Sequence, residues 1–105
     1  MSRLQANFQT VPLSPKPAQT LSVVLGGQNC DITVYQKTTG LFFDLAIAGV
    51  YLVRARLCRD YVSLIRQPYL GFYGEMFFLD TQGDADPEYS GLGDRFQLVY
   101  TYLTA

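Results

Sequence analysis

The chain has 105 residues and a formal net charge of −1; apolar residues make up 49% of it, aromatic residues 14% and charged residues only 16%. That length suits one domain, and the near-zero charge excludes a broadly basic surface of the kind that binds nucleic acid. The sequence has no histidine, so it cannot form a Ser-His or Cys-His catalytic pair. No stretch reaches the roughly 18 apolar residues that a membrane span requires. We therefore predict one non-enzymatic domain over residues 1–105, with no cofactor, that presents apolar surface to a protein partner.

A period of two, which marks β-strands, begins near the N-terminus, where Leu4, Ala6 and Phe8 alternate with polar residues. The following stretch, 11–19, is rich in proline and cannot form an interior strand. We predict that it is an extended connector of polyproline type, or an arm that lies on a neighbouring subunit. Its candidate interface residues are Pro12, Pro15 and Pro17.

The same period predicts a run of further strands between residues 20 and 58. TLSVVL and QNCDITVYQK are joined by a hairpin turn at Gly26–Gly27. The second of these strands should place on one face Cys30, Ile32 and Val34. In LFFDLAI the residues expected to point inward are Leu41, Phe43, Leu45 and Ile47. Those expected to point outward are Phe42, Asp44 and Ala46, and Phe42 is a candidate contact residue.

A turn near Ala48–Gly49 leads into VYLVRARLC. In that strand, alternation against Arg54 and Arg56 predicts one shared face for Tyr51, Val53, Ala55 and Leu57. The next stretch, RDYVSLIRQP, fits either a strand or a single helical turn and ends at Pro68. Periodicity leaves that choice open.

A strand is also predicted over YLGFYGEMFFLDTQG, and its glycines, Gly71 and Gly74, indicate a bulge or the close approach of another backbone. Phe77 and Phe78 face opposite sides, so the second side is covered either by loops of this chain or by another subunit. The final strand, RFQLVYTYLTA, should place on one face Phe96, Leu98, Tyr100 and Tyr102. Seven to eight strands at spacings of about ten residues predict an all-β fold, either a small antiparallel β-sandwich or a partly open β-barrel.

Arginines and cysteines form the next candidates for function. Four of the six arginines lie in one stretch: Arg54, Arg56, Arg59 and Arg66. They either pair with carboxylates across the sheet or across an interface, or bind phosphate. Arg54 and Arg56 are candidate interface residues. Cys30 and Cys58 are too far apart in sequence for a zinc site. Because the N-terminus has no signal segment, we expect reduced, buried thiols. A disulfide between the two cysteines is the alternative, which the sequence does not decide.

Acidic residues cluster near the C-terminal end, at Asp80, Asp84, Asp86, Glu88 and Asp94. They fit turn formers, calcium ligands or a carboxylate pair for glycoside hydrolysis, and the first interpretation is favoured because the loop has no calcium-loop pattern. Arg95 is predicted to bond Asp80 or Asp86 bidentately and to hold the loop to the last strand. Gly91 and Gly93 are predicted to shape its backbone.

Aromatic side chains gather around Gly71, at Tyr69, Phe72 and Tyr73. Tyrosine suits protein interfaces because one end is apolar and the other hydrated. These three residues are therefore candidate interface residues. The alternative is a binding module that uses the same aromatics to bind a receptor or a carbohydrate.

Several short motifs follow one another along the chain: an LGG turn, G-x-x-x-D-L, a GV strand, L-G-F-x-G and D-T-x-G-x-x-x-P-x-Y-x-G-L-G-x-R-F-x-L-x-Y. The last motif comprises Asp80, Thr81, Gly83, Pro87, Tyr89, Gly91, Leu92, Gly93, Arg95, Phe96, Leu98 and Tyr100. In this order, and over nearly the whole chain, the sequence resembles the plug-type baseplate proteins of contractile-tailed bacteriophages, the cyanophage-like baseplate plug domain family.

The resemblance implies a structural virion protein at the end of the tail tube. Such a protein would join tube, hub or spike, and wedge or sheath-initiating components by packing, in several copies around the tail axis. It would be assembled in the host bacterial cytoplasm, with no nucleic-acid or membrane partner. The family brings no catalytic residues. The alternative function is a receptor- or carbohydrate-binding β-sandwich on a tail fibre.

Overall fold

The fold is nearly all β, as predicted. The computed structural model describes residues 5–25, 27–65 and 74–104. Within them it contains seven strands and one short 3-10 turn, Tyr89–Gly91. The strands are β1 (Gln5–Val11), β2 (Ala18–Leu25), β3 (Gln28–Lys37), β4 (Gly40–Ile47), β5 (Val50–Leu57), β6 (Glu75–Asp80) and β7 (Phe96–Thr104).

The strands form two antiparallel sheets that are not closed into a barrel. One sheet has the order β1-β7-β6 and the other has the order β2-β3-β4-β5. Short turns join neighbours in the larger sheet, and the turn Ala48–Gly49 between β4 and β5 has positive φ at both residues, 52° and 79°. Such a turn matches the right-handed twist of a hairpin. The antiparallel pairing of β2 with β3 and of β4 with β5 confirms the predicted hairpins; Gly26, in the first of these turns, lies outside the described residues.

The core lies between the sheets and follows the predicted alternation in β3 and β4. Ile32 pairs with Leu45 and Val34 pairs with Phe43 across the two strands, and all four side chains are fully buried. Cross-strand neighbours on one face pack against each other, so this block forms the inner layer of the larger sheet. The smaller sheet contributes to the same core the side chains of Met76, Phe78, Phe96, Leu98 and Tyr100.

The predicted alternation in β5 is wrong. Val53 is buried, but Tyr51 is 52% exposed and Ala55 is also exposed. Phe43 pairs with Arg56 and Leu45 with Val53, so β5 takes one more residue than β4 over this stretch. A bulge of this kind moves the following side chains to the opposite face. A second irregularity, between Leu45 and Ala46, has the same effect.

Ala46, which was predicted to face outward, is only 6% exposed. It pairs with Asp31 on one side and with Tyr51 on the other. A small side chain between two larger neighbours loses contact with water whichever way it points. Ala46 is therefore buried by its larger cross-strand neighbours, and its low exposure does not show that its side chain points towards the core.

Residues 58–65 form neither a regular strand nor a helical turn. The segment crosses from the larger sheet to the free side of β6, where Tyr61 N–H donates to the Phe78 carbonyl and Leu64 N–H donates to the Met76 carbonyl, both at 2.8 Å. The ring of Tyr61 lies 5.0 Å from that of Phe77. The chain's own loop therefore covers part of the outer side of Phe77, which was one of the two predicted alternatives.

The strand predicted over 69–83 extends only from Glu75 to Asp80 within the described residues. Gly74 has φ +105°, and a Cβ atom there would collide with the carbonyl oxygen of Thr101. This is the close backbone approach that the glycines indicated. The other residues named in this stretch and before it lie outside the described residues: Arg66, Pro68, Tyr69, Gly71, Phe72 and Tyr73.

Candidate interaction surfaces

The loop between β6 and β7 is organised by an ion pair between Arg95 and Asp80. Arg95 Nε donates to Asp80 Oδ1 and Arg95 Nη2 donates to Asp80 Oδ2, each at 2.8 Å. Asp80 also accepts the backbone N–H groups of Gln82 at 2.9 Å and Ala85 at 2.8 Å. These donors, Arg95 above all, hold the pKa of Asp80 well below its usual value. Asp80 therefore fixes the backbone path of the loop by binding Arg95 and two backbone N–H groups.

Further contacts fix the rest of this loop to three other parts of the molecule. Asp86 accepts the backbone N–H of Asp60 at 3.0 Å. The N–H of Tyr89 donates to the side-chain oxygen of Gln36 at 3.1 Å. Gly93, at φ +80°, lies so close to the Leu13 carbonyl that no Cβ atom fits between them. Asp80 and Asp86 were the two predicted partners of Arg95. Asp80 forms the ion pair with Arg95, whereas Asp86 binds the backbone of Asp60.

The other glycine predicted to shape the loop, Gly91, lies against the ring of Phe96. A Cβ atom at this position would be 2.6 Å from Phe96 Cδ2. A side chain here would displace a residue that is 4% exposed. Gly91 therefore allows the 3-10 turn to pack directly on the first residue of β7.

The acidic cluster does not form a metal site in this structure. Among residues 5–25, 27–65 and 74–104, no three acidic or cysteine side chains converge in a way that could hold a metal ion. Both oxygens of Asp80 already bond to Arg95. The calcium alternative therefore finds no supporting geometry in the described part of the chain.

The arginines of β5 lie around an open depression at the strand edge. It is lined by Arg54, Ala55, Arg56, Leu57 and Arg59. Arg54 stacks on Tyr51, with its guanidinium carbon 4.4 Å from the ring centre. Arg56 pairs with Phe43 in the ladder. The positive charges are thus placed on a bulged strand rather than on a regular, flat face.

Asp44 supports the bulge from the neighbouring strand. Its Oδ1 accepts the N–H of Ala55 at 2.6 Å and the hydroxyl of Tyr35 at 3.3 Å. Ala55 has φ +52°, a conformation that is unfavourable for a residue with a Cβ atom. Burial, together with Asp44, raises the pKa of Tyr35, so its hydroxyl keeps the proton that it donates. The carboxylate therefore stabilises a strained backbone at the point where the arginines are displayed.

Phe42 lies on the outer face of the larger sheet, as its position in the alternation predicted. It is half-buried, and its ring stacks on Tyr35 at 5.9 Å. Lys37 Nζ lies 5.4 Å from the Tyr35 ring centre and 5.5 Å from that of Phe42. Phe42 is thus part of a small aromatic cluster capped by a cation. Its role as a contact residue stays a prediction.

The proline connector links the two sheets. Pro12, Pro15 and Pro17 are exposed, whereas Leu13 between them is buried. Gln19 closes the connector, because its side chain accepts the Ser14 N–H at 3.0 Å and donates to the Ser14 carbonyl at 2.6 Å. The connector therefore has a defined path with its prolines on the outside.

Residues 8–103 match the family model described as cyanophage baseplate Pam3 plug gp18. The chain belongs to this family. The resemblance inferred from the motifs is thus confirmed, and the protein is a structural component of a phage tail baseplate, where it interacts with other baseplate proteins. The family is structural, which favours a role without catalysis. No curated protein matches the chain. Nor, among the described residues, is there a helix of the length and hydropathy that crossing a bilayer takes.

Several exposed apolar side chains of this baseplate protein were not singled out by the sequence. They are Phe8 at 70%, Tyr61 at 68%, Val50 at 62%, Val24 at 56% and Tyr51 at 52% exposure. In the alternation Phe8 and Tyr51 look like core residues. Phe8 is exposed because it pairs with Thr101 on the outer face of its sheet, whereas Val11 pairs with the buried Leu98 on the core face. Tyr51 is exposed because of the irregular pairing described above. Neither cause can be read from a period of two.

The two cysteines are free and buried, as favoured from the sequence. Burial raises the pKa of both thiols above the usual value. The Cys30 thiol donates weakly to the Gln28 carbonyl at 3.6 Å and the Cys58 thiol to the Arg56 carbonyl at 3.8 Å. Protonated thiols without access to solvent are poor nucleophiles, so both serve as core residues.

Proposed function

We propose that this baseplate protein joins the tail tube, the hub or spike, and the wedge by protein–protein packing, in several copies around the tail axis. It is assembled into the virion in the host bacterial cytoplasm. Family membership gives the baseplate role, and the open edges of its two sheets support the joining role.

The sheet edges differ in how far the chain itself covers them. On the free side of β6, the segment 60–64 bonds to the Phe78 and Met76 carbonyls. At β1 and β5, which are edge strands, the described residues provide no further ladder partner. An uncovered edge strand offers unpaired N–H and C=O groups to another chain. Strand edges are therefore the natural contact points of this molecule.

The observation that carries the proposal is apolar exposure along these same edges. Phe8 on β1 is 70% exposed, and on β5 Val50 and Tyr51 are 62% and 52% exposed. Large apolar side chains beside free backbone groups combine the two features of strand-addition interfaces. In a monomer these apolar side chains stay in contact with water, whereas an assembly that buries them is stabilised by the hydrophobic effect.

Cryo-electron microscopy of the intact tail tip tests the proposal. We expect this chain to contact at least two different baseplate proteins, with Phe8 or Tyr51 inside an interface. A location on a tail fibre, or exposure of both residues to solvent in the particle, would refute it. The alternative, a carbohydrate-binding module, instead predicts that a sugar or calcium raises the melting temperature of the purified chain.

A further inference from the structure

Opposite charges are concentrated in different segments of this chain. Four of its six arginines lie between residues 54 and 66, whereas six of its nine acidic residues lie between residues 75 and 94. The separation of positive and negative charge is not apparent from the net charge, which is only −1. Opposite patches on one small protein are complementary to each other, provided that they do not neutralise each other within the molecule.

The positive patch, called here the basic edge, consists of Arg54, Arg56 and Arg59. These three residues line the depression at the edge of β5. Cross-strand partners share a face of the sheet. Because Arg56 pairs with the buried Phe43, its side chain leaves the strand on the core-facing side. Arg54 lies over Tyr51, on the other side. The bulge at Ala55 thus places guanidinium groups on both sides of one free strand edge.

The basic edge has no carboxylate partner within the described residues. In this part of the chain the one ion pair joins Arg95 to Asp80. Guanidinium groups on a strand edge bind carboxylates strongly when the geometry is bidentate. The three arginines therefore offer ready donors to a carboxylate that comes from outside the molecule.

The negative patch, called here the acidic loop, consists of the exposed residues Asp84, Glu88 and Asp94. The loop that carries them is held by the bonds described above, including the one between Asp86 and the N–H of Asp60. Asp60 follows Arg59 directly, so the acidic loop adjoins the basic edge. Even so, no ion pair joins the two patches among the described residues.

We propose that the basic edge of one copy of this protein binds the acidic loop of a second copy. The inference rests on the proposed function, which places several copies around one axis. A second copy is the occupant because the complementary charge is present on the chain itself and, among the described residues, no ion pair joins the two patches. Each contact neutralises one basic edge and one acidic loop at the same time.

The test uses sedimentation velocity of the full chain over a range of concentrations. The basic-edge variant is Arg54→Glu with Arg56→Glu, and the acidic-loop variant is Asp84→Lys with Asp94→Lys. The matched controls change the charge by the same amounts elsewhere, with Lys16→Glu, Thr38→Glu and Thr39→Glu, or with Asp31→Lys and Glu75→Lys. Circular dichroism spectra establish that each variant is folded.

We expect the unchanged protein to self-associate and to dissociate as the ionic strength rises from about 0.05 M to about 0.5 M. Each interface variant should weaken association by about tenfold or more, while the controls should behave like the unchanged protein. Mixing the two interface variants should restore association, because glutamates on one copy then face lysines on the other.

Three results would overturn the inference: a monomer at every concentration and low salt, interface variants that match their controls, or a mixture that stays monomeric. Failure of the broader proposal is distinguishable by imaging phage tails. If the chain is present in the tail tip and joins other proteins, but its copies do not meet through these residues, only the self-association inference fails. If the chain is absent from the tail tip, the proposed function fails.

Discussion

Replacing Gly93 with alanine should separate the loop between β6 and β7 from the proline connector. Gly93 has φ +80°, and a Cβ atom at this position would overlap the backbone carbonyl of Leu13. Gly27 also has φ +80°, but no atom lies within 4 Å of its Cβ position. Gly27→Ala is therefore a matched control that introduces the same backbone strain without the collision.

The two glycines predict different losses of stability. A left-handed residue with a Cβ atom costs about 1–2 kcal/mol, and the lower entropy of the unfolded chain returns about 0.4–1 kcal/mol. Gly27→Ala should therefore reduce the free energy of unfolding by about 0.5–1 kcal/mol. Gly93→Ala must also displace backbone, which adds about 1–3 kcal/mol, as overpacking does. We expect a total loss of about 1.5–4 kcal/mol.

Urea unfolding monitored by tyrosine fluorescence suits this comparison, because the chain has eight tyrosines and no tryptophan. The midpoint gives the difference in stability if the slope is unchanged. Equal losses for the two variants, within about 0.5 kcal/mol, would refute the reasoning. That result would mean that the contact between Gly93 and the connector contributes nothing beyond the backbone conformation.

Three further predictions follow from single contacts. Because the folded-state pKa of Asp80 is lowered, its contribution is complete above the unfolded pKa of about 3.9 and is lost as the pH falls towards the folded pKa. Stability should therefore fall below about pH 5 more steeply in the unchanged protein than in Asp80→Asn, and parallel urea-unfolding profiles against pH would contradict this. Arg95→Lys, which loses the bidentate geometry, should lower the melting temperature measured by circular dichroism; an unchanged value would count against the ion pair. Asp44→Ala should reduce the free energy of unfolding by about 1.5–3 kcal/mol, the range for bonds to a charged group. A loss equal to that of Asp84→Ala, in an exposed loop position, would refute the role of Asp44 at the bulge.

The sequence by itself determined the parts of this protein that depend on local periodicity. The bounds of β3, the buried faces of β3 and β7 and the hairpin at Ala48–Gly49 all follow from neighbours along the chain. A side-chain period of two and the backbone freedom of glycine are local properties. The family was indicated in the same way, by short motifs in a fixed order over nearly the whole chain, of which the one that ends at Tyr100 is the most specific.

Only the tertiary structure decided which strands lie at an edge, which carboxylate Arg95 selects and where β5 bulges. Each of these depends on atoms that are distant in sequence. Asp44 accepts the backbone N–H of the left-handed Ala55, eleven residues later. This bond lies where the register between β4 and β5 shifts. Phe8 and Tyr51 are exposed because of pairing between strands, and pairing is a property of the sheet rather than of the segment.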